Sequence, residues 1–164
     1  MNAHNLHEVA ILIRLGSVFA VLTFIHFVVD WIFQTHDEAM AKSGNAWVRA
    51  QHCLTYTLGF VPLFIWLDLP LFDAWAAVLI LFFSHFIEDT YVPVYLWARY
   101  IRRVPEVVKG VVVASSYSGS LRVDRGKDGF REWVHTPLGA ILMITVDQII
   151  HLAFLWPVAW IIAS

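Results

Sequence analysis

Residues 74–89 read Ala74-Trp75-Ala76-Ala77-Val78-Leu79-Ile80-Leu81-Phe82-Phe83-Ser84-His85-Phe86-Ile87-Glu88-Asp89. An uncharged run through Ser84 is followed by His85, Glu88 and Asp89. Extended to residue 98, the segment reaches the roughly 20 residues that cross a hydrocarbon core. Three further segments have the same character, near 9–33, 47–67 and 137–163. Each is expected to be helical, because a segment in lipid must satisfy its own backbone hydrogen bonds.

Composition agrees with a membrane chain. Of 164 residues, 59% are hydrophobic and 15% charged, against about 45–50% and about 25% in soluble domains. So small a soluble domain has too little interior to hide that much apolar surface. Trp31, Trp47, Trp66, Trp75, Trp97, Trp133, Trp156 and Trp160 all fall near predicted helix ends, as in the aromatic belts at membrane interfaces. A single cysteine, Cys53, excludes an internal disulfide and a Cys-based zinc motif. The N-terminus lacks the basic region and cleavage site of a signal peptide. Nothing resembles a phosphate-binding glycine loop or a nucleic-acid motif.

The connections differ. Ser43-Gly44-Asn45 is a turn signal in the first. Asp68-Leu69-Pro70 makes a tight hairpin of the second and third spans. Residues 99–136 form the long polar connection, where the valine-rich piece Val107–Val113 reads equally as a surface segment or a short strand. Arg99, Arg102, Arg103, Lys109, Arg122, Arg125, Lys127 and Arg131 lie in this connection, and Lys42 and Arg49 in or beside the first; Arg14 alone opposes them. The positive-inside rule puts both basic connections in the cytoplasm and both termini outside. The expected fold is therefore all-α: one membrane domain over 1–164, a four-helix bundle with a long cytoplasmic connection between helices three and four.

Polar residues interrupt the spans. They are His26 and Asp30, Gln51 and His52, His85 with Glu88 and Asp89, and Asp147 with Gln148 and His151. Ionisable groups at such depth cost about 2.5–3.5 kcal/mol each on insertion scales and are functional candidates by default. His26/Asp30, His85/Asp89 and Asp147/His151 are each spaced i, i+4, which puts both side chains on one helix face. At 1.5 Å per residue, His26, Asp30, His52 and Asp89 lie roughly 5–14 Å below the cytoplasmic interface, and His85, Asp147 and His151 roughly 15–22 Å. All seven can therefore meet in one half of the bilayer.

Four membrane acids, Asp30, Glu88, Asp89 and Asp147, have no lysine or arginine at matching depth in this reading. Buried carboxylates must be protonated, paired or metal-bound. Imidazole with carboxylate is a ligand set for zinc, manganese or iron, and seven groups suit two ions. The expected ligands are His26, Asp30, His52, His85, Asp89, Asp147 and His151. Glu88, offset by about 100° from Asp89 on a helix, is the spare carboxylate for a general base, although that offset can turn it away from the cluster. Gln34, Gln51, Tyr56 and Gln148 are expected to support the ligands, with Thr55 a further candidate donor. His4, His7, His36 and His135 are read as ordinary surface residues.

At these residues the chain resembles an uncharacterised, domain-of-unknown-function family of small bacterial and phage-associated integral membrane proteins. The matching pieces are His26-Phe-Val-Val-Asp30-Trp31-Ile-Phe-Gln34, His52 with Tyr56, His85-Phe-Ile-Glu-Asp89 and Asp147-Gln148-Ile-Ile-His151. Their order covers about residues 20–155 and is specific as a combination. Family members often carry a lysine soon after the third-helix aspartate, where Thr90 and Tyr91 stand here. The resemblance implies a bacterial inner-membrane location and a shared polar site, but no activity. A looser likeness to membrane-bound metal-dependent hydrolases is one of analogy.

The leading expectation is a metal-dependent hydrolase for an ester or phosphoester at the cytoplasmic leaflet. Zinc or manganese would lower the pKa of a water toward about 7, and the basic connection would attract anionic headgroups. A divalent-cation or proton transport component is the second expectation; few polar residues beyond Asp68 and Asp73 continue toward the outer face. A non-catalytic accessory subunit is the third. The lipid bilayer is the expected environment, and a homo-oligomer or a protein partner through residues 104–131 stays open.

Overall fold

The computed structural model describes residues 3–103, 107–108, 111–112, 133 and 135–164. The helices are α1 (Ala3–Phe27), α2 (His36–Ala41), α3 (Ala46–Leu58), α4 (Val61–Trp66), α5 (Leu71–Glu88), α6 (Val92–Leu96) and α7 (Pro137–Ala163). Wider π-helical turns extend α1 over Val28–Ile32 and α6 over Trp97–Ile101. The valine-rich piece forms a strand pair: β1 (Val107–Val108) and β2 (Val111–Val112) are antiparallel, Val107 facing Val112. Most of the connection expected over 99–136, including much of the segment 104–131, lies outside the described residues.

Among the described residues, three helical stretches are long and apolar enough to cross a membrane: Asn5–Ile32, Leu71–Glu88 and Pro137–Ala163. Large side chains such as Phe24, Ile65, Trp66 and Phe72 are exposed on these and neighbouring helices, a surface that suits lipid better than water. The span expected over 47–67 is instead divided. Pro62 lacks an N–H and its ring would clash with the carbonyl one turn back, so α3 closes at Leu58 and α4 restarts with Pro62 in its first turn. Gly59 stands at the break, where an added Cβ would overlap the Val29 side chain. The glycine thus lets the π-turn after α1 approach α3. The span expected over 74–98 is also shorter. It stops at Glu88, Tyr91 adopts a left-handed φ of 58°, and Pro93 starts α6.

The chain forms two compact units, Met1–Thr90 with Ile150–Ser164, and Tyr91–Ile149. In the first unit, Leu15, Leu22, Phe60, Leu81, Leu155 and Val158 belong to the buried apolar core. Burial on α3 follows Arg49, His52, Cys53 and Tyr56, and on α5 Ala77, Leu81, His85 and Glu88. Both are stripes of helical period, so the polar groups ride on the same faces that build the core.

Candidate metal centre

The first polar group comes from the end of α1. Phe33 N–H donates to Val28 carbonyl at 3.3 Å, closing the wide π-turn, and Asp30 in that turn is buried. Such turns inside helices recur at functional sites.

The chain then makes a corner. Thr35 Oγ1 accepts from Glu38 N–H at 3.2 Å and Thr35 N–H donates to Glu38 Oε2 at 2.9 Å, a capping box that starts α2. The Thr35 N–H, and after it the Thr35 hydroxyl, which also donates to Glu38 Oε2 at 2.9 Å, hold the Glu38 carboxyl below its ordinary value. Asn45 Oδ1 accepts from Trp47 and Val48 N–H and caps α3. Arg49 Nη1 donates to the carbonyls of Lys42 and Ser43 at 2.9 and 3.3 Å, with its guanidinium 4.5 Å from the Phe86 ring centre. This fixes the α2–α3 corner and directs Lys42 inward.

Four side chains from three elements converge there. His52 Nε2 lies 3.0 Å from His85 Nε2 and 3.1 Å from Asp30 Oδ1. His52 Nε2 is 3.6 Å from Asp89 Oδ2, and His85 Nε2 is 3.5 Å from Asp30 Oδ1 and 3.4 Å from Asp89 Oδ2. A neutral imidazole has one N–H to donate, so these contacts exceed what the two rings can serve as hydrogen bonds. Asp89 Oδ2 accordingly has no hydrogen-bond partner among the described residues despite being buried. Four ligands about 2.0–2.1 Å from a tetrahedral zinc stand roughly 3.3 Å apart. Five of the six edges of such a tetrahedron, 3.0–3.6 Å, scatter about that value, while Asp30 and Asp89 share no group of ligand atoms within 4.8 Å among the described residues. Buried groups here can therefore hold a metal ion, and the ligand atoms of Asp30, His52 and His85 all lie within 4.8 Å of one another.

Lys42 corrects the charge account. It is 7% exposed, with Nζ 2.8 Å from Asp89 Oδ1, 3.7 Å from Asp30 Oδ1 and 3.4 Å from His52 Nε2. Asp30 and Asp89 thus do have a lysine between them. Read as a plain connection, residues 34–46 leave Lys42 outside the site, whereas the helix His36–Ala41 within them brings it in. The capping-box spacing Thr35-x-x-Glu38 was the available signal for a helix that folds back. Arg49, counted with Lys42 among cytoplasmic loop cations, is buried as well.

Glu88 does not turn away: it is buried, and its Oε2 lies 3.1 Å from His151 Nε2. The His85, Glu88 and His151 ligand atoms form a second group within 4.8 Å. His26 is buried beside them, its ring 5.4 Å from and stacked on that of His151, with Nδ1 at 3.1 Å from Tyr56 Oη. It falls in none of the metal-ligand groups among the described residues. Tyr56 also stacks flat on His85 at 3.8 Å, and the Gln34 amide nitrogen is 3.1 Å from His52 Nε2 and 3.3 Å from its Nδ1.

Gln51 and Thr55 do not support the ligands: both are exposed, Thr55 Oγ1 donating to the Gln51 carbonyl. Asp147 and Gln148 belong to the second unit, where the Gln148 amide donates to Asp147 Oδ2 at 3.3 Å. Cys53, set aside as a lone cysteine, has its sulfur within 4.8 Å of ligand atoms of His85 and Asp89. Its place one residue after His52, on the buried stripe of α3, was the sequence signal for it. Comparison with family models, with curated proteins and with solved structures finds no match.

Proposed function

We propose that this chain is an integral membrane protein that holds a divalent cation, zinc or manganese in character, among Asp30, His52, His85 and Asp89. The observation that carries the reading is the set of five contacts at tetrahedral edge length between groups with too few protons to bond one another. Mixed nitrogen and oxygen donors suit both metals, and a thiol nearby favours zinc. In the bilayer, α3 and α4 together would supply the fourth span of a bundle with α1, α5 and α7. Residence in a bacterial inner membrane, with the termini outside, is the proposed orientation.

Four protein ligands make a closed site, whereas catalytic sites keep a position open. Asp89 is the corner suited to open. Lys42 holds its Oδ1, which leaves Oδ2 able to accept a proton from water. A bound metal supplies an activated water at neutral pH. The proposed activity is therefore hydrolysis of an ester or phosphoester at the cytoplasmic leaflet, with Asp89 rather than Glu88 as base. The buried Lys42 bridge favours one second reading, a self-neutralised ion-pair network that needs no metal.

Elemental analysis of detergent-purified protein separates the two. Near-stoichiometric metal in wild type and its loss in His52→Ala support the metal reading; metal-free protein after growth in zinc- and manganese-replete medium supports the network. Asp89→Asn then divides enzyme from holder. Retained metal with lost turnover of a lipid phosphoester marks a base, and lost metal marks a ligand.

A further inference from the structure

His85 has two ring nitrogens, and the proposed centre uses Nε2. Its Nδ1 is buried with no hydrogen-bond partner among the described residues, an arrangement that calls for an explanation in a native interior. The neighbouring groups are Glu88, one turn further along α5, and His151 on α7. Ligand atoms of His85, Glu88 and His151 lie within 4.8 Å of one another, and all three residues are buried. His151 Nε2 and Glu88 Oε2 stand 3.1 Å apart, again near the ligand–ligand edge of a tetrahedral site. The His85 and His151 rings meet edge to face at 4.7 Å. His26, held by Tyr56, stacks on His151 and fixes its ring. A histidine and a glutamate three residues apart are also the pair with which di-metal helix bundles present ligands inward, there in the order Glu-x-x-His.

We infer that His85 Nδ1, Glu88 and His151 form a second divalent-cation site, so that the His85 ring joins two ions. The inference rests on the first centre holding a metal. Coordination through both nitrogens requires the last ring proton to leave to solvent, and the two cations offset the negative charge that results. A pair joined across a whole imidazole is further apart than the roughly 3.5–4 Å of two-metal hydrolases. Glu88 and His151 would therefore serve to fix and polarise His85 rather than to bind the reacting group.

The test is zinc stoichiometry after equilibration with excess Zn²⁺ and gel filtration. Wild type is expected to retain two ions per chain. Glu88→Gln and His151→Ala should each retain one, and Asp30→Asn should lose the other ion. Because Glu88→Gln is nearly isosteric, an unchanged elution volume shows that its loss is not unfolding. With Cu²⁺ as the probe, wild type should show a spin-coupled pair by electron paramagnetic resonance, and Glu88→Gln an isolated ion. One ion in wild type, kept in both Glu88→Gln and His151→Ala, overturns the second site and leaves the first standing. Two uncoupled copper ions overturn the bridge. No ion in wild type overturns both proposals.

Discussion

His85 with Asp89, and Asp147 with His151, are the same motif in sequence: a histidine and an aspartate four residues apart on an apolar helix. They end differently. His85 and Asp89 stay together, 3.4 Å apart, and meet Asp30, His52 and Lys42. In the other pair, His151 joins Glu88 from α5, while Asp147 is half-buried and accepts from the adjacent Gln148. Helical spacing gives two side chains one face, and what packs on that face decides whether they act together.

Substitutions can break or sharpen this contrast. The largest effect is expected at the hub. His52→Ala should weaken zinc binding by more than the roughly 10–100-fold that loss of an outer-shell partner costs, as measured by competition with a chromophoric chelator. Lys42→Met should separate stability from binding. Two buried carboxylates lose their cation, at a cost of about 3–5 kcal/mol in the metal-free protein. Zinc affinity should rise, because ammonium and metal compete for the same oxygens. Thermal unfolding with and without zinc reads both.

Gln34→Ala should lower affinity by about 10–100-fold through loss of the amide 3.3 Å from His52 Nδ1, the ring nitrogen the metal would not use, without reaching the His52→Ala value. Thr35→Ala removes a cap worth about 1 kcal/mol and loosens the corner that carries Lys42. The Glu38 carboxyl titrates lower when folded, so its contribution is present above its ordinary value of 4.5 and drains away as pH falls through the lowered value. The stability difference between wild type and Thr35→Ala should therefore shrink in acid. Asp147→Asn should do least, shifting stability by less than about 0.5 kcal/mol with metal content unchanged; loss of metal would restore Asp147 to the site.

Much of this was legible in the sequence because long apolar helices with a few ionisable interruptions leave a simple signature. The apolar lengths locate Asn5–Ile32, Leu71–Glu88 and Pro137–Ala163 as spanning candidates. The interruptions mark His26, Asp30, His52, His85, Asp89 and His151, all of which are buried. What was missed turned on local backbone events. Pro62 and Gly59 divide the second span, and the α2 corner converts Lys42 from a loop cation into the partner of Asp30 and Asp89. The roughly 100° offset of Glu88 from Asp89 applies only while both lie in a regular helix. Asp89 is already the residue that ends α5. The pairing of Glu88 with His151 depends on the packing of α7, which spacing along α5 does not encode.

X-ray absorption at the zinc edge, on Glu88→Gln loaded with one equivalent, tests the central claim most directly. The account predicts four nitrogen or oxygen ligands at about 2.0–2.1 Å, two of them with the outer-shell scattering of imidazole. A shell of six oxygens without imidazole, or no zinc retained through gel filtration, would contradict it.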